Sequence, residues 1–307
     1  MVFGYRLWVV GLSPHNQQPT LQNRQVPTLK TERPTTHNPQ PTTITTMLLL
    51  SFDTEEFDVP LENGVDYDPI KQGMEVSRFG TNRILDILKA ENVKATFFCT
   101  TNFAKNAPDV MQRIKDEGHE IAAHGCDHFR PKKEDITDCK RILKELTGID
   151  VKGWRQPRMF PVDLNELKKE GYIYNSSLNP AFIPGRYMHL SEPRTPFMQD
   201  GLLQIPASVT PGFRFPLFWL AMHTLPMWLY KAWCRWTLHH DGQFVTYFHP
   251  WEFYALKEHP ELNIPLIIRH NSGDIIAQRL RELIRTFKKE GAHFGTFTEY
   301  YNSFNVK

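Results

Sequence analysis

MLLLSFDTEEF, residues 47–57, reads as a buried β-strand that ends in an acidic turn. Its apolar run is continuous rather than alternating, as a parallel strand covered on both faces requires. ATFFC (95–99), EIAA (120–123), FVTYF (244–248) and HFGTF (293–297) repeat the pattern, and short strands are expected near Trp154 and Ile205. Between them lie helical stretches. Phe79–Glu91 sets Phe79, Ile84, Leu85 and Leu88 on one face, Pro108–Glu117 starts at proline and stops at Gly118, Pro131–Leu146 closes at Gly148, and Ile275–Glu290 follows late in the chain. Strand–helix alternation means parallel pairing, so the fold class is α/β. About seven such units in one domain favour a (β/α) barrel over an open sheet.

The first 46 residues differ from the rest. They hold six prolines, nine threonines and one acid, Glu32. Without apolar periodicity such a stretch cannot offset the entropy of ordering, so residues 1–46 are expected to be a disordered extension, with Met47 a candidate true start. The apolar patch near Trp8 and Val9 makes a poor signal peptide, which points to a cytoplasmic location. The whole chain has 307 residues, 36 Lys+Arg against 34 Asp+Glu, a net charge of +2, which leaves no electrostatic footprint for nucleic acid. Cys99, Cys126, Cys139 and Cys234 form no CxxC pair and no disulfide framework.

In an α/β barrel, chemistry gathers at the carboxyl ends of strands, and three reactive residues lie just past strand ends: Asp53, His124 and His249. In extended chain Asp53 and Glu55 point the same way, and two such carboxylates repel unless a cation joins them. The plain alternative is a solvated acidic turn. HGCDH (124–128) offers His124 and His128 at a spacing from which both reach one ion. Two histidines and one carboxylate form a facial triad suited to zinc or another divalent metal ion, while Cys126 between them reads as a bystander thiol. GWRQP (153–157) places Arg155 as a fixed cation able to orient a carboxylate. FVTYFHPWEF (244–253) ends its strand in His249, a general acid beside a metal or a satisfied core residue, with Glu252 placed to orient it.

Taken in order, the acid pair, His-x3-His, Arg-x-Pro, a mid-chain segment YNSSL (174–178) and a late histidine resemble the polysaccharide deacetylase family, the NodB-homology hydrolases, across most of 47–307. The resemblance implies a distorted (β/α) barrel and a metal-dependent hydrolase that removes N-acetyl groups from an amino sugar in a polysaccharide, oligosaccharide or lipid-linked glycan. The Asp-x-Glu spacing resembles the branch in which the acids are two apart. On that pattern Asp53 matches the catalytic base, Glu55, His124 and His128 hold one divalent metal ion (zinc by preference), Arg155 orients the base, and His249 is the acid. An oxyanion-binding backbone N–H is expected on the loop after ATFFC, and Tyr174, Asn175 and Trp251 are expected to contact the carbohydrate. Relatives commonly carry Asp where this chain has Asn175, and a neutral amide cannot raise a histidine pKa by charge.

FRFPLFWLAMHTLPMWLYKAWCRWTL (213–238) carries four of the seven tryptophans. Pro216 and Pro226 interrupt it, and its apolar part falls short of the ~20 residues a span requires. It reads as barrel-packing helix, or as a peripheral membrane contact with Lys231 and Arg235 facing lipid phosphates. Two other functions compete. Hydrolysis of small non-sugar amides would want a narrow pocket with few aromatics, and an idle glycan-binding module would need neither base nor acid.

Overall fold

A computed structural model describes residues 46–183, 187–188 and 190–304. The strands are β1 (Met47–Thr54), β2 (Thr96–Cys99), β3 (Glu120–Ala123), β4 (Gly153–Trp154), β5 (Tyr174–Asn175), β6 (Phe182–Ile183), β7 (Tyr187–Met188), β8 (Phe197–Gln199), β9 (Leu202–Gln204), β10 (Gln243–Phe248) and β11 (His293–Gly295). One sheet runs β10-β1-β2-β3-β4-β5-β9-β8, parallel throughout except for the antiparallel β8–β9 pair. β10 pairs with Met47–Phe52 along one edge of β1, while β11 takes Met47–Leu49 and β2 takes Ser51–Thr54 on the other. The sheet curls, and an irregular segment bridges its open side: Ser208 N–H bonds the Val245 carbonyl (2.9 Å) and Ser208 Oγ accepts from Val245 N–H (2.9 Å). The architecture is thus a curled, distorted (β/α) barrel, closed by side-chain and loop contacts rather than by a continuous ladder. Expected strands at EIAA and FVTYF stand as read, while HFGTF divides into β11 and the start of a helix at Phe297.

The larger helices are α1 (Met74–Glu91), α2 (Pro108–Asp116), α3 (Asp135–Thr147), α4 (Trp219–Thr224), α5 (Met227–Asp241) and α6 (Asp274–Lys289), which cover the outside, and α7 (Phe297–Phe304), which packs against the inner cluster. α1 starts earlier than its apolar run suggests, and its core face holds Ile84, Leu85 and Leu88 but not Phe79, which is exposed and packs edge-on against Tyr254. Five residues separate Phe79 from Ile84, about 140° around a helix, so they cannot share a narrow stripe. α3 starts at Asp135 rather than Pro131, because the Asp135 carboxylate ties back to the Lys132 N–H in a turn (2.9 Å).

Residues 213–238 break at Leu225–Pro226 into α4 and α5. Tyr230, Cys234, Thr237 and Leu238 of α5 are buried, the i, i+4, i+7, i+8 spacing of a core-facing stripe. Lys231 and Arg235 form ion pairs with Glu282 of α6 and with Glu290 just past its end instead of standing free. Trp228 and Trp236 remain exposed. Among the described residues no helix is long and apolar enough to cross a membrane. The stretch expected to be disordered, 1–46, lies outside the described residues except for Thr46.

Strand parity positions the chemistry. Side chains alternate across a strand, and Leu48, Leu50 and Phe52 point outward under the helices, while Leu49 points into the barrel with Phe98, Ala122, Tyr174, Leu203, Val245 and Phe297. Continuing that inward column upward gives Ser51 and Asp53 from β1, His124 beyond β3, Arg155 beyond β4, Tyr247 from β10 and His249 just beyond it. Residues far apart in sequence therefore meet at one rim because they share parity.

Candidate active site

Arg155 is fully buried. Its guanidinium bonds Asp53 Oδ1, Ser51 Oγ (3.0 Å), Ser176 Oγ (3.0 Å) and the Ser176 carbonyl (3.2 Å), and lies 3.9 Å above the Phe98 ring. Asp53 is also buried. Burial pushes its pKa up, but Arg155, His124 and His249 outweigh that and hold it below the ordinary carboxylate range.

Glu55, His124 and His128 converge behind Asp53. His124 Nε2 and His128 Nε2 lie 3.3 Å and 3.1 Å from Glu55 Oε2. The other ring nitrogens are engaged: His124 Nδ1 donates to the Arg155 carbonyl (2.8 Å) and His128 Nδ1 to Asp58 Oδ2 (2.8 Å). Those bonds set the tautomers and turn the Nε2 lone pairs toward Glu55. Glu55 Oε2 and His124 Nε2 are buried and have no hydrogen-bond partner among the described residues. Acceptors facing one another in a dry site require a positive charge. Ligand atoms around a tetrahedral zinc, at bond lengths of about 2.0–2.2 Å, would stand about 3.4 Å apart. The residues present therefore fit a divalent cation. The same demand shows at His128. Burial opposes its charge, yet Glu55 and Asp58 raise its pKa to about 10.

The loop that presents His128 turns at Gly125 (φ 76°), a left-handed backbone that glycine adopts freely. Glu56 straps it down, accepting the His128 N–H (2.9 Å), Thr100 Oγ1 (2.8 Å) and Asn102 Nδ2 (3.1 Å). Arg158 bonds Asp58 Oδ2 (3.2 Å) and Glu62 from a left-handed backbone of its own (φ 59°). Nothing in the sequence singles out Glu56 or Arg158. A carboxylate three residues after Glu55 is a signal for Asp58, but only the returning loop shows which histidine it meets.

His249 follows β10. Its Nδ1 donates to Glu252 Oε1 (2.9 Å), and the same oxygen accepts the His249 backbone N–H (2.6 Å). Burial pulls the His249 pKa down, but the Glu252 bond and the charges of Glu55, Glu252 and Asp53 raise it above the ordinary histidine value. Glu252 thus supplies the charge that Asn175 lacks.

Four expectations change. Tyr174 does not contact substrate: it is fully buried in the barrel interior with its hydroxyl on Glu120 Oε1 (2.9 Å). Asn175 has the opposite parity, facing outward, and bonds Gln204 (2.8 Å) and Ser177 (2.5 Å), so the inward mid-chain residue is Ser176. Trp251 is buried and offers no sugar-stacking face. It stacks on His249 (centroids 4.8 Å, 16°) and directs Nε1 at Glu55 Oε1 (3.4 Å). The oxyanion donor does not come from the loop after β2, because the N–H groups of Thr100, Thr101, Asn102 and Phe103 are all taken. Cys126 is half-buried and is not among the three converging ligands. The aromatic that remains half-exposed beside His249 is Trp219, edge-on at 5.5 Å.

Residues 65–166, which include His124, His128 and Arg155, match the polysaccharide deacetylase family model. A peptidoglycan deacetylase of Helicobacter pylori is 32% identical over 120 residues, 36% of this chain and 41% of that protein, so the match spans less than half of the relative. Among solved structures, a Mycobacterium smegmatis protein named for the polysaccharide deacetylases aligns at a TM-score of 0.58 and 20% identity over 87% of this chain and 93% of its own. The PuuE allantoinase aligns at 0.59 and 18% identity over 88% and 95%. At these identities the structures show a shared fold alone. Through residues 65–166, the chain is similar to the polysaccharide deacetylase family.

Proposed function

We propose that this protein is a metal-dependent N-deacetylase acting on an amino sugar within a glycan. The observation that carries the reading is the convergence of Glu55, His124 and His128 within reach of an Arg155-held Asp53 and a Glu252-held His249. A divalent cation held by that triad supplies Lewis-acid polarisation of the acetyl carbonyl and of the attacking water. Asp53, kept ionised by Arg155, takes the proton of that water. His249, kept protonated by Glu252, delivers a proton to the departing amine nitrogen as the carbon–nitrogen bond breaks. Serving as base and acid from opposite sides requires pKa values pushed apart, the direction in which the two environments act.

Trp219, half-exposed and edge-on to His249, favours a sugar substrate over a small amide, since a pyranose ring offers C–H faces for an aromatic to cover. A binding module would need neither the oriented base nor the oriented acid. The test is metal analysis of the purified full chain together with acetate release from a panel of chitooligosaccharides. One divalent ion per chain with acetate release is expected, and release must disappear in Asp53→Asn while the metal stays. Absence of both metal and acetate would remove the reading.

A further inference from the structure

Behind Glu252 lies a second histidine that the chemistry above does not use. His223 of α4 is buried, with its Nε2 2.9 Å from Glu252 Oε2. An ionised carboxylate only accepts, so Nε2 carries the proton. The opposite nitrogen, Nδ1, is buried with no hydrogen-bond partner among the described residues, so a second N–H there would have nothing to bond. Glu252 is itself wholly buried, and its Oε1 is already committed to the backbone N–H and ring Nδ1 of His249. Without His223, Glu252 Oε2 would be a dry, unpartnered carboxylate oxygen, which is costly.

We propose that His223 is a positioning residue for the acid: by donating to Glu252 Oε2 it holds that carboxylate in the orientation and charge state that fix His249 with a proton on Nδ1, leaving Nε2 for the substrate. The inference rests on the deacetylase reading for its kinetic consequence, though not for its structural one. The placement of α4 supports it. Asn271 Nδ2 and Arg279 Nη1 bond the carbonyls of His223 and Leu225, tying the end of the helix to the segment around α6. Trp219 stands four residues before His223 on the same helix, edge-on to both His223 (5.9 Å) and His249 (5.5 Å). A single turn of helix therefore sets the aromatic beside the acid and the donor behind its carboxylate.

The groups facing this relay are few. Around His249 stand Asp53, Glu55 and Glu252, with the rings of Trp219, Tyr247 and Trp251. Glu252 faces His223 and His249, with Tyr230 nearby. Removing the His223 donor leaves Glu252 readier to take up a proton, and His249 then loses the charge that supports its own.

The test compares the full-length wild type with His223→Leu, which deletes the donor, and His223→Gln, which keeps an N–H. Histidine-labelled protein without substrate is read by NMR for a slowly exchanging, downfield Nδ1 proton on His249. Wild type and His223→Gln should show it, and His223→Leu should lose it or shift it upfield. In acetate-release kinetics His223→Leu should lose about 10-fold or more in kcat with KM little changed, part of the ~10²–10⁴ a placed general acid contributes. Its alkaline limb should move to lower pH, and His223→Gln should recover most of both. The proposal is overturned if folded His223→Leu keeps the wild-type proton signal, kcat and profile, or if His223→Gln is as impaired as His223→Leu, which would reduce His223 to packing. Should His223→Leu not fold, absence of the Nδ1 signal from wild type, or its loss in His223→Gln, overturns the proposal equally. A wild type that releases no acetate from any glycan would sink the deacetylase reading, and the NMR comparison would still decide the role of His223.

Discussion

Arg155 shows what a buried cation needs. Removed from water, a guanidinium persists only when its donors find partners, and here Asp53, Ser51 and Ser176 take them. The bond that holds Asp53 also keeps it ionised, so Asp53→Asn should leave metal content unchanged and lower kcat by about 10²–10⁴-fold, the range for loss of a positioned base. Metal analysis beside acetate-release kinetics checks it, and near-normal turnover would place the base elsewhere. The pH profile follows from the signs. Activity rises as Asp53 loses its proton, below the ordinary carboxylate range, and falls as His249 loses its proton, above the histidine reference of about 6.5. Glu252→Gln removes a charge that favours the imidazolium, so the alkaline limb of kcat/KM should move to lower pH while the acid limb stays. An alkaline limb that does not move would mean that His249 is not the group titrating there.

At the scale of elements, parity explains both what the motifs tell and what they hide. β1 and β10 are long enough for their apolar runs to be read, so Asp53 and His249 can be placed at strand ends from residues alone. β4 and β5 are two residues each, too short to show a period, so nothing in YNSSL tells which side chain faces inward, and the outward Asn175 is easily confused with the inward position that Ser176 holds. The helix–turn contact beneath His249 is similarly invisible in sequence. α1 rests on the turn Pro250–Phe253, where a Cβ on Gly80 would lie 1.8 Å from the Pro250 carbonyl oxygen. Arg83 grips the same turn through the Phe253 carbonyl (3.2 Å). Gly80→Ala must therefore push the turn away, at a cost of about 1–3 kcal/mol. Thermal melts should show the loss, and kcat should fall with it because His249 and Glu252 ride on that turn. An unchanged melting temperature would mean the contact is looser than the geometry indicates.

Across the whole molecule, the three ligand side chains tie the loop after β1 to the loop after β3, segments about seventy residues apart. A cation bound by the folded chain alone adds its binding free energy to stability, about 4 kcal/mol at a thousandfold excess over Kd. Added zinc should therefore raise the melting temperature of the full chain in a concentration-dependent way. A chelator should reverse the rise and abolish acetate release, and His124→Ala should show neither response. Melting that is indifferent to metal and chelator would count against a shared cation at Glu55, His124 and His128.

The residues themselves determined the α/β class, the strand-end positions of Asp53, His124 and His249, and the pairing of two histidines with a carboxylate, because hydrophobic runs and local spacing are written along the chain. Only the tertiary structure decided that Trp251 is buried against His249 rather than open to a sugar, that Tyr174 fills the barrel, that Asp58 orients His128, and that His223 stands behind Glu252. Each of those depends on which distant segments curl against one another, and the energy that settles it, the burial of polar groups with or without partners, exists only once the barrel has formed.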